Sequence, residues 1–575
     1  MKIYIILFDF IKKFQPYSFY ILLTIFLFTS VLEAIGISLV MPLIAIVLDD
    51  NFLIMLNNSR FGSYAPDFIY DLSRSEALQL FSFLLIGSYF IKNLILIFSE
   101  YLKGIFINKI KSNLTNSLME KYIGQNYIFH STKNNSEISS IINEKVNHFG
   151  DGLVGSVIII FSELIIILGL FLLIIFFRQL DTFLILLLLF SSGILTAKIV
   201  NYFVKKIGNQ RQSKINEKFI NFTNIINNFR EIILTGRFNI YLKNFETSNN
   251  IVAKLDSIRA SLQRTPQLVF ETVGIVGLVL IIYYLTSINS STTKIITVCT
   301  FFAAISYRAI PSLHKIFYFQ FNLKYYMPIL IELSREFQNV KNIIFHNEKF
   351  NKFENLELNE ISFDYDKENK TVLKNINLKI QKNTSIGIFG QSGSGKTTLL
   401  DIISCLIEPT KGEILVNGEK IINPHMRRKF QNNISYTSQK TTIINDTLKA
   451  NICFGFEKEK IDIERYLEAV NLVDLGQLDE NFKNKKMLIS DQGGNISGGQ
   501  LQRIGIARAL YQNKDILIFD ESTNALDENL EKKILSKLNN LKNKKTLIFV
   551  SHNINSLMNL DHVYEVSKME IIKIK

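Results

Sequence analysis

Cysteine is nearly absent. The chain has three in 575 residues, Cys299, Cys405 and Cys453. They show none of the close spacing that metal ligands need, and they need not form disulfides. The N-terminal stretch has few charges and a long apolar run, and no signal-cleavage pattern is evident. The first run is therefore read as an anchor that stays. Acidic charge is in deficit: 64 Lys and Arg against 51 Asp and Glu leave a formal net charge of +13. Such an excess can mark a nucleic-acid binder. Here the cations crowd the segments between hydrophobic runs, where cytoplasmic loops of membrane proteins carry them.

Apolar surface is what the chain has in quantity, at 48% of residues. Before about Leu330 it collects in runs near the ~20 residues that span a bilayer. The expected spans are Tyr17–Leu48, Leu78–Ile107, Val154–Phe177, Thr182–Val204, Leu268–Leu285 and Lys294–Phe317. The segments after the second and fourth runs carry most of the Lys and Arg of this first half and are placed in the cytoplasm. The links "RQLD" and "TSINSSTT" face outward. Apolar spacing in "FINFTNIINNFREIILTGRFNIYLKNF" predicts that helices continue well into the cytoplasm. Their tips, near Tyr127–Ser136 and Glu231–Phe245, are expected to touch another domain. The first outer loop, Asp49 to about Glu76, fits either a short interfacial helix or a packed loop.

After Phe353 short apolar strands alternate with polar loops, as in a soluble domain. "TSIGIFGQSGSGKTTLL" reads as a buried strand, a glycine-rich loop and a helix start. It fits G-x-x-x-x-G-K-[ST] in the context that motif requires. Gly390, Gly393 and Gly395 let backbone N–H groups converge on phosphate, with Gln391, Ser392 and Ser394 between them. Lys396 is expected to reach the β- and γ-phosphates, and Thr397 to give its hydroxyl to Mg²⁺, with Thr398 beside it. "DILIFDEST" is an apolar strand ending in two acids. Asp520 is placed for the Mg²⁺ shell and Glu521 as general base for the attacking water. Two carboxylates at the end of a buried strand are costly without a cation, which weakens a purely structural reading.

"NISGGQLQRIGIARAL" completes the pattern, and here the chain resembles the ATP-binding cassette (ABC) transporter family. The signature is Ile496–Gln500, with Ile where many members have Leu. The resemblance covers about Glu354–Lys575. It implies Tyr365 as the aromatic that stacks on adenine, Gln439 as the loop glutamine that contacts Mg²⁺, Asn524–Asp527 as the loop linking two sites, and His552 as the γ-phosphate contact. It also implies a head-to-tail homodimer in which Ser497, Gly498, Gly499 and Gln500 close over the partner's ATP. The expected fold is thus a polytopic α-helical membrane domain of about six transmembrane helices (1–335), a linker (336–352) and an α/β P-loop NTPase cassette (353–575).

An ATPase behind about six spans resembles exporter-type half-transporters of the bacterial cytoplasmic membrane, with the cassette in the cytoplasm. No peptidase-like segment precedes the first span, which disfavours a peptide-processing exporter. "VLEAIGISLVMPLIAIVLDDNF" and "SYRAIPSLHKI" resemble flippases of lipid-linked oligosaccharides, which implies a lipid-linked glycan as cargo. A lipid A-type, drug or peptide exporter shares the same cassette motifs, and a non-transporting ABC channel or regulator would tolerate loss of Glu521. A nucleic-acid ABC ATPase needs no spans and is excluded by the first half. A diphosphate cargo calls for cations in the cavity, and Lys92, Arg308 and Arg264 are the candidates. Arg308 has a second reading, as the partner of Glu33, Glu163 or Glu271 in assembly alone.

Overall fold

The structure is a computed structural model, and it describes residues 16–48, 72–176, 180–339, 350, 352–365, 371–484, 487–489 and 496–575. Most of the outer loop expected from Asp49 to about Glu76, and most of the linker expected at 336–352, lie outside the described residues. The chain divides into two compact units, Met1–Ile123 with Lys133–Lys341, and Gly124–Thr132 with Asn342–Lys575.

The first unit is built from six long helices: α1 (Pro16–Leu48), α2 (Arg74–Ile123), α3 (Gly155–Phe176), α4 (Leu180–Asn227), α5 (Phe238–Ser287) and α6 (Thr292–Asn339). Short helical stretches, two of them π-helical, lead into α3, so that the run Asn135–Phe176 makes one crossing. Among the described residues, six helices are long and apolar enough to cross a membrane, one for each expected span. The helices are much longer than the apolar runs. At 50 residues, α2 is about 75 Å long, against a hydrocarbon core of about 30 Å. The helices therefore extend well beyond the apolar runs, as expected. Between α4 and α5 the chain folds back through the short helix Phe229–Thr235 and Gly236, whose φ of +64° closes the helix in the left-handed conformation.

The helix surfaces explain why hydropathy succeeds here. Along α2, Phe83, Ile86, Phe90 and Ile97 share a face and are each more than 60% exposed. Water would penalise such a stripe, whereas hydrocarbon covers it at no cost. The opposite face buries Phe106, Ile110, Leu114 and Leu118 at the same helical spacing.

The second unit holds two sheets. The antiparallel one has the order β2-β1-β4-β5, from β1 (Asn355–Asp364), β2 (Thr371–Gln381), β4 (Lys411–Val416) and β5 (Glu419–Lys420). The larger sheet runs β10-β9-β3-β8-β7-β6, from β3 (Ser385–Phe389), β6 (Ile434–Thr437), β7 (Ile516–Asp520), β8 (Thr546–Ser551), β9 (His562–Ser567) and β10 (Glu570–Lys573). All its pairs are parallel except β9 with β10. Its middle strands are apolar and almost wholly buried, because helices cover both faces of a parallel sheet. Two of those helices carry function-bearing sequence, α7 (Lys396–Ile403) and α8 (Gly498–Tyr511).

Candidate active site

The sheet order assembles the site. Strands β3, β8, β7 and β6 are consecutive and parallel, so their carboxyl ends share one edge, where open α/β sheets bind ligands. The loop Gly390–Gly395 leaves β3, His552 follows β8, Glu521 follows β7, and Gln439 lies two residues beyond β6. Four stretches distant in sequence thus converge.

The loop is shaped as a cradle. A Cβ at Gly390 would lie 2.4 Å from the Val566 carbonyl oxygen, and Gly395 has a φ of +102° where it starts α7; both positions require glycine. The buried Ser394 hydroxyl has no hydrogen-bond partner in the structure, as befits a group reserved for a ligand. Lys396 folds back over the loop and donates to the carbonyls of Gly390 and Gln391, both at 2.9 Å. Its Nζ is 3.9 Å from Glu521. Burial pulls the Lys396 pKa below its ordinary value, while Glu521 and Asp520 act in the opposite direction. Gln391, Ser392 and Thr397 are exposed, and Thr398 is buried with its hydroxyl 3.2 Å from that of Tyr365. The Tyr365 ring stands edge-on to Phe363 at 4.9 Å and is 57% exposed, which leaves a face free for a planar group.

Glu521 is the most constrained residue of the site. Its φ of +49° is in the left-handed region, an uncommon and costly place for a residue with a side chain. The carboxylate is clamped on both oxygens. Oε1 is 2.7 Å from His552 Nε2, and Oε2 accepts from Gln439 Nε2 at 2.7 Å and Asn524 Nδ2 at 3.2 Å. His552 Nδ1 lies 3.2 Å from the Gly390 carbonyl. Both neighbours of the ring accept, so His552 serves them both when it carries two protons. The imidazole thus links the carboxylate to the cradle.

Beside Glu521, Asp520 accepts a 2.9 Å hydrogen bond from the Tyr436 hydroxyl. Burial raises the Asp520 pKa against that bond. Asp401 is pushed up to about 6, mainly by burial and then by the charge of Asp520. Neither Tyr436 nor Asp401 was singled out from the sequence. The usable signal was spacing: Asp401 is four residues from Thr397 on α7, hence on its face, and Tyr436 sits on β6, next to β7. Among the described residues no group of three or more His, Cys, Asp and Glu is placed to hold a metal. Thr397, Asp520 and Gln439 fit Mg²⁺ only as a partial set completed by phosphate oxygens and water, which is how that ion is usually held.

Ser497 caps α8 in a capping box. Its hydroxyl accepts from Gln500 N at 3.2 Å, and its own N–H donates to Gln500 Oε1 at 2.9 Å. Ser497 and Gly498 are exposed, so the helix end is open to a further anion. A Cβ at Gly499 would sit tightly against the Ala525 carbonyl oxygen, at 3.0 Å. Gln502, also unforeseen, ties α8 to the end of β7 by accepting from Ala525 N at 2.8 Å and donating to the Glu521 carbonyl at 3.5 Å.

In the membrane unit five charged residues of the spans, Glu33, Lys92, Glu163, Arg308 and Lys315, meet in one network. Arg308 lies 2.5 Å from Glu33 and 3.5 Å from Glu163. Lys92 is 3.7 Å from Glu33, and Lys315 and Ser312 both donate to Glu163. Of the three expected partners of Arg308, the structure brings it Glu33 and Glu163, while Glu271 accepts from Gln267. Arg264 is exposed and joins none of these pairs. Arg308 therefore ties α1, α3 and α6 together. Arg308→Ala is expected to leave two buried carboxylates underpaired and to lower stability by about 3–5 kcal/mol, seen as a lower thermal midpoint in detergent. An unchanged midpoint would mean that the network does not hold the helices.

Six candidate crossings are joined in one chain to a P-loop cassette. The family of the ABC transporter transmembrane region matches residues 23–311, half of the chain, and the ABC transporter family proper matches residues 373–524. The chain belongs to the ABC transporters, as a half-transporter with its membrane region and cassette fused. It is similar to the ATP-dependent lipid A-core flippase of Idiomarina loihiensis, 32% identical over 215 residues, 37% of either chain. It is also similar to that of Chromobacterium violaceum, 34% identical over 209 residues, 36% of this chain and 35% of the relative. The chain thus covers little more than a third of the length of these curated relatives. The structure of a bacterial Atm1-family ABC exporter with ATP bound superposes with a TM-score of 0.73 over 94% of both chains at 15% identity, a likeness of fold.

Proposed function

We propose that this chain is an ATP-driven exporter of the bacterial cytoplasmic membrane, working as a homodimer with two shared ATP sites. Residues 1–335 form its membrane domain, 336–352 the linker and 353–575 the cassette. The observation that carries the reading is the convergence of Lys396, Asp520, Glu521, Gln439 and His552 at one sheet edge. In this reading the Gly390–Gly395 backbone and Lys396 hold the phosphates of ATP, and Tyr365 stacks on its base. Thr397, Asp520 and Gln439 hold Mg²⁺, which supplies charge neutralisation when bound. Glu521 takes the proton of the attacking water, and His552 and Gln439 keep its carboxylate in place. Ser497–Gln500 of the second chain offers a helix N-terminus to the γ-phosphate. Closure of two cassettes over ATP then tilts the helices outward, and hydrolysis releases them.

For the cargo we propose an anionic lipid carrying a glycan. The names of the relatives favour a lipid A-type molecule, and the segments quoted above favour a lipid-linked oligosaccharide. Both present phosphate. The span network pairs three cations, Lys92, Arg308 and Lys315, with two carboxylates, which leaves positive charge to meet it. The test is ATP-dependent loss of a labelled lipid from the accessible leaflet of proteoliposomes, with lipid A-core and polyprenyl-diphosphate oligosaccharide in separate arms. Movement in one arm names the cargo. Movement in neither, with ATPase intact, would overturn the glycolipid reading.

A further inference from the structure

The membrane unit contains a second charge cluster, unrelated to the span network. Glu336 lies near the end of α6. One of its oxygens, Oε2, accepts from the Tyr122 hydroxyl at 2.9 Å and from Lys133 Nζ at 2.6 Å. Lys133 Nζ also lies 5.3 Å from the Tyr122 ring centre. One turn earlier Glu332 pairs with the buried Lys145, so both acids use the same face of α6. Tyr122 is buried, and the side chains of Lys133 and Glu336 are only 12% and 16% exposed. An ion pair so shielded is less screened by salt than a surface pair.

The positions of the two partners give this cluster its meaning. Tyr122 lies at the end of α2 and Lys133 begins the run toward α3. Between them lies Gly124–Thr132, the segment that groups with the cassette unit. A single carboxylate oxygen therefore gathers both ends of that segment. Glu336 sits near the end of α6, and in sequence the cassette follows that helix. The two residues that flank the segment thus meet at one side chain near the end of α6.

We propose that Glu336, with Lys133 and Tyr122, is a latch that makes α2, the 124–132 segment and α6 move as one body when the cassettes close. The proposal rests on the ATP-driven reading above. Glu336 is a positioning residue, since it lies outside the nucleotide site and acts through the helices it joins. Without the latch the cassettes still bind and hydrolyse ATP, but less of their closure reaches the outer helix ends.

The experiment places a spin label at Ser287→Cys, near the outer end of α5, in a Cys299→Ser background of the full chain in liposomes. The distance between the two labels of the dimer is measured with and without ATP and vanadate. The unmodified latch is expected to give a nucleotide-driven shift of the distance. Glu336→Gln is expected to reduce the shifted population about fivefold, the scale of one partly buried ion pair, with ATP hydrolysis and thermal midpoint retained. The exchanged pair Lys133→Glu with Glu336→Lys restores the charge contact and should recover the shift, which a general loss of packing would not allow. A full shift in Glu336→Gln overturns the latch alone. A reduced shift that the exchanged pair fails to recover, or that comes with a lower midpoint, also overturns it. Absence of any ATP-driven shift in the unmodified chain overturns the ATP-driven reading as well, and the two failures are thereby distinguished.

Discussion

Glu521→Gln should abolish steady-state ATP turnover and leave nucleotide binding intact. The loss of a general base is worth about 10²–10⁴-fold, and the site gives reason to expect a clean effect. Gln has the shape of Glu. Its amide oxygen can take the hydrogen bonds that Gln439 and Asn524 give to Oε2. Its NH₂ can face His552, which then accepts at Nε2 and keeps its contact to the Gly390 carbonyl through Nδ1. The cradle and Lys396 are untouched. The variant should therefore bind ATP and hold it, accumulating the closed dimer. Phosphate release gives the first measurement, and nucleotide retention after gel filtration the second. Turnover within a few-fold of the parent would place the base elsewhere.

Ser497→Arg should also eliminate hydrolysis, for a different reason. Ser497 is exposed at the start of α8, where the proposed dimer brings the partner's γ-phosphate. A long side chain there fills the space that phosphate needs. It also removes the helix cap, at about 1 kcal/mol. Ser497→Ala removes the cap without filling the space, so it separates the two effects. Hydrolysis in the Ala variant should fall far less than in the Arg variant. Equal loss in both would reduce Ser497 to a structural cap.

The two halves of the chain were legible to different degrees. The six crossings could be read because a bilayer imposes length and apolarity on each segment independently, without reference to its neighbours. The nucleotide motif could be read because phosphate binding dictates glycines and a lysine at fixed spacing within one loop. The residues that were missed act across the sheet. Tyr436 reaches Asp520, and Gln502 reaches the backbone at Glu521 and Ala525, through strand order that no local pattern reveals. Gln439 was expected at Mg²⁺, and the second partner its amide has in this structure, Glu521, was not foreseen. The span charges were visible one by one, but their pairing was not. Which carboxylate meets Arg308 depends on how α1, α3 and α6 rotate against each other, and helical period alone does not fix that.

The claim on which the account turns is that each ATP site is shared between two chains. It is tested most directly by mixing two inactive variants, Ser497→Arg and Glu521→Gln, in one dimer population. In a mixed dimer both lesions fall on the same site: the chain with Glu521→Gln supplies its cradle, and the chain with Ser497→Arg supplies its signature. The other site then has an intact Glu521 and an intact Ser497. The account predicts that co-expressed or subunit-exchanged mixtures regain Mg²⁺-dependent ATP hydrolysis that neither variant shows alone. Mixed dimers, isolated through two different affinity tags, that remain as inactive as either parent variant would contradict it.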